Sequence, residues 1–183
     1  MTFDYKNASK DELKAHFKTI AKKVGDDTFF TKKELYHLPE ILSVGEEVIA
    51  FSSGLMDANT WVIVLTNKRI IFLDKGMLYG LKQTAIDLDK VNAISGDTGL
   101  VFGKISIQDG AAHRTIKQVL KHTVVPFTNL ARDAIEARKH AQSGNHVAAA
   151  PDSIAQLERL ATLLEKGVLT AEEFARQKDK ILA

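Results

Sequence analysis

The stretch from Val62 to Ile94, VIVLTNKRIIFLDKGMLYGLKQTAIDLDKVNAI, decides the fold. It contains most of Thr60–Thr66 and all of Arg69–Asp74, two runs rich in β-branched and aromatic residues, with Asn67-Lys68 between them as a tight turn. Lys82–Leu88 and Val91–Ser95 follow closely. Short runs at this spacing are typical of antiparallel strands joined by hairpins.

Further strands are predicted on both sides of this stretch. Val48–Ser52 precedes it, Leu100–Gln108 and His113–Val119 follow it, and Thr123–Val125 is a candidate last strand. About seven short strands with glycine punctuation indicate a small antiparallel barrel or sandwich. Pro126 should end the last strand, and a helix capped by Thr128 or Asn129 and running to about Ala141 should close one end of the barrel.

Helices are predicted before the first strand. Ser9 and Glu12 form a capping box, and apolar residues at helical spacing then run until Gly25, which should stop the helix. Thr31 and Glu34 repeat the capping pattern before a second apolar series. Pro39 lies inside that series, so the second helix should end or kink near Leu38.

The last part of the chain is predicted to be a helical hairpin behind a linker. Residues 142–153 are small and polar, as in linkers. An apolar stripe then begins at Ile154, and Thr170 with Glu173 makes a third capping box. About 30 residues are too few to bury their own apolar side chains. The stripe should therefore contact the barrel, a second copy or another protein through Leu157, Leu160, Leu164, Phe174 and Ile181.

Two parts of the chain resemble known families. Glu47–Lys139 resembles the bacterial pleckstrin-homology-like domains in its strings EVIA (47–50), VLTNKRIIF (64–72), IDLDKV (86–91) and GLVFGKI (99–105). Residues 154–183 resemble the short C-terminal domain called SHOCT, with the string KGVLT (166–170) followed by Glu173-Phe174.

These resemblances imply an α+β fold. The expected architecture is a seven-stranded antiparallel bent barrel capped by a C-terminal helix, with N-terminal helices and a C-terminal two-helix hairpin. The expected segments are an N-terminal helical part (1–45), the barrel with its capping helix (46–141), the linker (142–153) and the hairpin (154–183). The resemblances imply no catalytic activity, whereas SHOCT units are thought to serve oligomerisation or partner contact.

Basic residues beside two predicted turns are candidate ligand contacts. Lys68, Arg69, Lys75 and Lys82 could bind a phosphorylated headgroup, and Leu78 and Tyr79 could enter a membrane, contact a neighbouring subunit or cover the barrel mouth. Lysine on turns and edge strands also serves solubility and blocks edge pairing. The loop over residues 54–59 has one acid and no base, which argues against phosphoinositide recognition.

Several chemistries are disfavoured. The chain has no cysteine, which excludes disulfides and thiol catalysis, and its six histidines are scattered without metal-ligand spacing. A formal net charge of +2 is small for a nucleic-acid-binding protein. The glycines at 99 and 103 lack phosphate-loop spacing and lie between strands, and Asp87 and Asp89 are more typical of turn caps than of an acid–base pair. We therefore predict no catalytic residue, metal or cofactor.

The sequence thus predicts a non-catalytic binding and assembly module whose tail drives oligomerisation or recruits a partner. The alternative is peripheral association with anionic membrane lipids through the basic turns. The first residues do not resemble a secretory signal, and no apolar run approaches the ~20 residues that span a bilayer. The expected location is the cytoplasm, with the inner face of the membrane as the alternative.

Overall fold

The computed structural model of the protein divides into two compact units, Met1–Lys139 and His140–Ala183. The first unit contains every strand among the described residues, and the second contains the tail. The described residues are 3–26, 35–74, 82–110, 112–145, 160–164, 166 and 168–182.

Seven strands form one antiparallel sheet, which confirms the predicted number. They are β1 (Val48–Met56), β2 (Asn59–Thr66), β3 (Arg69–Asp74), β4 (Lys82–Asp87), β5 (Val91–Thr98), β6 (Phe102–Asp109) and β7 (Ala112–Leu120). The strand order is β4-β3-β2-β1-β7-β6-β5. The two edge strands, β4 and β5, are joined by the 3-10 turn Leu88–Lys90. They do not pair with each other, so the sheet is not closed.

Strands β2 and β3 are buried on both faces. Ile63, Leu65, Ile70 and Phe72 belong to an inner core, while their neighbours Val62, Val64, Ile71 and Leu73 belong to an outer core. Alternate side chains of a strand point to opposite faces. This explains why both strands have uninterrupted apolar sequences instead of an alternating pattern.

The N-terminal residues supply the other half of the outer core. Helix α1 (Lys10–Val24) begins at the predicted capping box and ends at Gly25, whose φ of 72° is left-handed. Its buried face includes Leu13, Phe17 and Ile20, which pack in the same cluster as Phe51 of β1. The sequence assigned no role to the first 30 residues; the described part, 3–26, covers the sheet.

Proline 39 starts a helix instead of ending one. The helical residue Leu35 is followed by a turn at Tyr36-His37, and the short helix α2 (Leu38–Ile41) then begins with Pro39 in its first turn. The predicted interruption near Leu38 is therefore confirmed. Proline is favoured in a first turn because the N–H it lacks would have no partner there. The predicted cap at Thr31 and Glu34 lies outside the described residues.

Helix α3 (Lys121–Asn145) corrects the prediction of a strand at Thr123–Val125. Pro126 lies inside the helix and does not end a strand. The helical arrangement buries Val124, Phe127 and Ala131 in the inner core, and this burial outweighs the hydrogen bond that a proline inside a helix forfeits.

Glycines in the sheet let α3 approach closely. A Cβ atom on Gly96 would lie 2.5 Å from Val124 Cγ1, and one on Gly103 would lie 2.8 Å from Val124 Cγ2. Both positions therefore need glycine for Val124 of α3 to pack this closely against the sheet.

The β1–β2 turn carries backbone strain that a glycine would relieve. Asp57 and Ala58 both have left-handed φ, 51° and 64°, and two-residue turns of this kind favour glycine at the second position. Replacing Ala58 with glycine should raise the free energy of unfolding by about 0.5 kcal/mol, after subtracting the greater unfolded-chain entropy of glycine. Chemical denaturation measures this. Ala85→Gly, on exposed β4, should instead lower stability; equal effects of the two substitutions would contradict the interpretation.

Candidate functional site

The β2–β3 turn is fastened to the segment that precedes β1. The Asn67 N–H donates to Glu47 O over 3.0 Å, and the Glu47 N–H donates to Asn67 Oδ1 over 3.0 Å. The Lys68 ammonium donates to Val44 O over 2.7 Å. The turn in the opening stretch thus has a structural role within this unit.

Arg69, at the end of this turn, forms an ion pair with buried Glu46. Its Nε and Nη2 donate to the two carboxylate oxygens over 2.9 Å each, and Nη2 also donates to Ile41 O over 2.9 Å. The carboxylate further accepts bonds from the Thr66 hydroxyl (2.9 Å) and the Ser43 N–H (2.9 Å). The pair therefore joins α2, the β2–β3 turn and residues 42–47 between α2 and β1, the strand-entry segment.

The protonation of Glu46 reflects this environment. Burial opposes its ionisation, but the hydrogen bonds from Arg69, Ser43 and Thr66 outweigh burial and hold the pKa of Glu46 below its ordinary value. The same pair raises the pKa of Arg69. Both groups are charged at neutral pH, as a structural ion pair requires.

Those predicted basic contacts that the structure describes are not brought to one place. Lys82 pairs with Asp74 at the far end of β3 from Arg69, which at the rise of an extended strand is about 17 Å away. Lys75, Leu78 and Tyr79 lie outside the described residues. Ligand contact by this set stays a prediction, but Lys68 and Arg69 already have intramolecular acceptors.

A second set of contacts holds the start of β1, where the segment that precedes it ends. Tyr5 is buried; its hydroxyl oxygen accepts the Val48 N–H over 3.1 Å and lies 2.9 Å from His16 Nε2. Burial raises the pKa of Tyr5, and burial together with nearby Lys23 lowers the pKa of His16. Phe3 stacks on the His16 ring at 3.9 Å. This histidine supports the N-terminal segment.

The described tail consists of two helical pieces. Residues 160–164 are helical, and helix α4 (Ala171–Leu182) begins at the predicted capping box, in which the Thr170 N–H donates to Glu173 Oε2 over 3.0 Å and the Glu173 N–H donates to Thr170 Oγ1 over 3.3 Å. Hydrogen bonds from the backbone N–H and the hydroxyl of Thr170 to the Glu173 carboxylate lower the pKa of Glu173. The N–H of Val168 donates to Leu163 O over 2.9 Å.

None of the described tail residues is buried. Leu160, Leu164 and Phe174 are partly exposed, and Val168 is 67% exposed. Leu157 lies outside the described residues, and Ile181 lies in α4 with its side chain undescribed. The apolar stripe predicted from the sequence is thus partly exposed at its three described positions.

Sequence reasoning missed a groove between the end of β1 and β7. Its volume is about 580 Å³, and its lining includes Asp57, His113, Arg114, Lys117 and Gln118. Arg114 is already paired with Asp109 at 2.6 Å. The groove suits a small anionic or hydrogen-bonding group, but no sequence signal marks it because β1 and β7 are far apart in the chain.

Sequence reasoning also missed an apolar hairpin tip. Leu100 and Val101, between β5 and β6, are 93% and 63% exposed, and Phe102, the first residue of β6, is 48% exposed. The available signal was three consecutive apolar residues in a turn flanked by Gly99 and Gly103. The location between two strands confirms that this glycine-flanked segment is not a phosphate loop.

The remaining candidates show no arrangement for metal binding in the part of the chain that the structure describes. No group of three or more His, Asp or Glu residues there could hold a metal ion. Asp87 lies 3.4 Å from Lys90 in a surface ion pair, and His122 Nε2 lies 2.9 Å from Gly25 O. Among the described helices, none combines the length and apolar character needed to cross a membrane.

Comparison with solved structures gives distant likenesses. A pleckstrin homology domain from Shewanella amazonensis SB2B is 21% identical, with a TM-score of 0.41, covering 56% of this chain and 96% of its own. A DUF1696 family protein with a pleckstrin-homology domain from Shewanella loihica PV-4 is 16% identical, with a TM-score of 0.40, covering 65% of this chain and 96% of its own. No curated protein matches the chain.

Family models identify both units. The model of the bacterial PH domain matches residues 42–133, just over half of the chain. The model of the SHOCT short C-terminal domain matches residues 155–182. PH-like and SHOCT domains are generally non-catalytic binding modules, and both resemblances inferred from the sequence strings are confirmed. The chain belongs to the bacterial PH domain family and carries a SHOCT domain after its PH domain.

Proposed function

We propose that this protein is a non-catalytic binding and assembly module whose SHOCT tail joins one copy of the chain to another. The observation that carries the proposal is the partly exposed apolar stripe of the tail, described at Leu160, Leu164 and Phe174. An apolar face of this kind gains free energy when a second surface covers it. The tail is also too short to cover the stripe by folding on itself.

Charge along α4 supports a second copy as the partner. Glu172 and Glu173 lie in its first turn, whereas Arg176, Lys178 and Lys180 follow with a single acid among them. Two α4 helices packed antiparallel would place the acidic end of each beside the basic end of the other. Such charge complementarity favours the antiparallel orientation of the two helices over the parallel one.

Deleting Pro151–Ala183 should reduce the mass measured by light scattering to that of one chain. The first unit should keep its fold, because both hydrophobic cores lie within it. In the full-length chain, Leu164→Ser with Phe174→Ser should shift the mass in the same direction. Gln177→Ser, on exposed α4, is the matched control and should leave the mass unchanged.

An unchanged mass after the deletion would refute tail-mediated self-association. A full-length protein that is already monomeric at high concentration would do the same, and it would direct attention to a different protein as the partner of the tail. Circular dichroism of each variant verifies that the sheet is intact.

Association with anionic lipids through Lys68, Arg69, Lys75 and Lys82 is the weaker proposal. Lys68 and Arg69 already donate to groups within the first unit. Lys82 lies at the other end of β3. The described members of this set, Lys68, Arg69 and Lys82, are not brought together at one place for a headgroup.

A further inference from the structure

We propose that the β5–β6 hairpin tip, Leu100-Val101-Phe102, inserts into the surface of a lipid bilayer that contains anionic lipids. This inference concerns the first unit and does not depend on self-association of the tail. It also differs from the lipid contact through the basic turns, because it uses none of those residues.

The tip has the form of a narrow apolar wedge. Leu100 is almost fully exposed, and exposure falls through Val101 to Phe102, from 93% to 63% to 48%. Leu120 lies opposite Phe102 in the ladder and is also exposed, which extends the apolar surface down one side of the hairpin. Exposed apolar side chains that are contiguous in this way mark interaction surfaces.

The backbone holds this wedge in place. The Gly99 N–H donates to Phe102 O over 2.8 Å and closes the turn. Just below, Thr98 pairs with Gly103, and the close approach of Val124 to Gly103 packs the hairpin against α3. A tip ordered before binding loses less conformational entropy on insertion than a flexible loop would.

Positive charge surrounds the base of the wedge. Lys104 and Lys117 line one shallow surface depression, of about 380 Å³, together with Phe102. Asp97 is the acid at this depression, and its carboxylate is 3.4 Å from the Lys104 ammonium. Lys121, exposed, directly follows Leu120. The lysines outnumber the acid, so the surface complements anionic headgroups while the wedge reaches the acyl boundary.

The same shape argues against a protein as the occupant. A protruding Leu100 would need a matching cavity on a partner, whereas a bilayer interface accepts any apolar protrusion. Long lysine side chains also extend to the headgroup level while their stems remain in apolar surroundings.

The test uses the intact protein and vesicles of phosphatidylcholine, with or without phosphatidylglycerol. The protein should cosediment with the anionic vesicles at low salt and bind less at high salt. Leu100→Ser with Val101→Ser should lower the partition coefficient at least about tenfold, and Lys117→Gln should lower it about fivefold. The Trp emission of Phe102→Trp should shift to shorter wavelength when anionic vesicles are added.

Val44→Ser is the matched control, because Val44 is an 84% exposed apolar residue that belongs to the strand-entry segment and not to this hairpin. It should leave the partition coefficient unchanged. Wild-type protein that remains in the supernatant with anionic vesicles at low salt overturns the proposal. So does a Leu100/Val101 double variant that binds vesicles like wild type, or one that changes only the oligomer mass, which would make the tip a protein contact. Tail deletion leaves the tip intact, so the two proposals can fail separately.

Discussion

Replacing Glu46 with alanine is expected to lower the free energy of unfolding by about 3 kcal/mol, the lower end of the range for breaking a buried ion pair. The lower end applies because Arg69 remains partly exposed while Glu46 is buried. The substitution removes the acceptor of two guanidinium bonds, the Thr66 hydroxyl and the Ser43 N–H. Urea denaturation followed by circular dichroism measures the change.

Glu40→Ala is the control for this substitution. Glu40 lies in the same segment, but its carboxylate is exposed and 3.8 Å from His37, so its removal should change stability by no more than about 0.5 kcal/mol. Similar losses from the two substitutions would show that the Glu46–Arg69 pair does not hold the turn.

The pH dependence of stability gives a second measure of the Glu46 contribution. The pKa of Glu46 is lower in the folded protein than in the unfolded chain, where it is about 4.3. Its stabilisation is therefore complete above that pH and is lost as pH falls towards the folded value. The stability of Glu46→Gln should decline less steeply over this interval than that of wild type.

Replacing Phe17 with alanine should cost about 3–4 kcal/mol, the usual loss for a buried phenylalanine. Phe17 is buried between α1 and the sheet, and its ring meets Phe51 edge to face at a centroid distance of 6.3 Å. The residue lies outside the region matched by the PH family model. A large loss would therefore show that the N-terminal segment is part of the cooperative unit. Thermal and chemical unfolding should both report it.

Phe102→Ala is the matched control, since it removes the same side chain from an exposed site. It should change stability by less than about 1 kcal/mol. Phe17→Leu, which refills most of the space, should cost less than half as much as Phe17→Ala. Equal effects at positions 17 and 102 would contradict the assignment of α1 to the outer core.

The sequence predicted the sheet well where local signals agreed. In β3, the apolar run Ile70–Leu73 between two predicted turns gave the observed bounds, Arg69–Asp74. The capping boxes at Ser9 and Thr170 likewise set the observed helix starts, because the interaction is confined to four consecutive residues.

Features that depend on distant residues could not be predicted. The predicted start of α3 was wrong. Pro126 is a strong local signal for the end of a strand, whereas the burial of Val124 and Phe127 that favours the helix is a tertiary effect. The partner of Arg69 was also inaccessible, since Glu46 is 23 residues away. The predicted tail contacts that the structure describes are partly exposed. An apolar stripe in the sequence does not specify which surface covers it. The hairpin tip was not predicted because Leu100 and Val101 were assigned to the strand Leu100–Gln108, whereas β6 begins at Phe102.

The two-sided burial of the sheet has a consequence for how this architecture can vary in evolution. A related chain without an equivalent of α1 would leave the outer face in water. It would then need polar residues where this one has Phe51, Val62, Val64, Ile71 and Leu73. Its strands would return to an alternating apolar and polar pattern. Uninterrupted apolar strings at these positions in a homologue thus predict that a helix covering the sheet is encoded upstream.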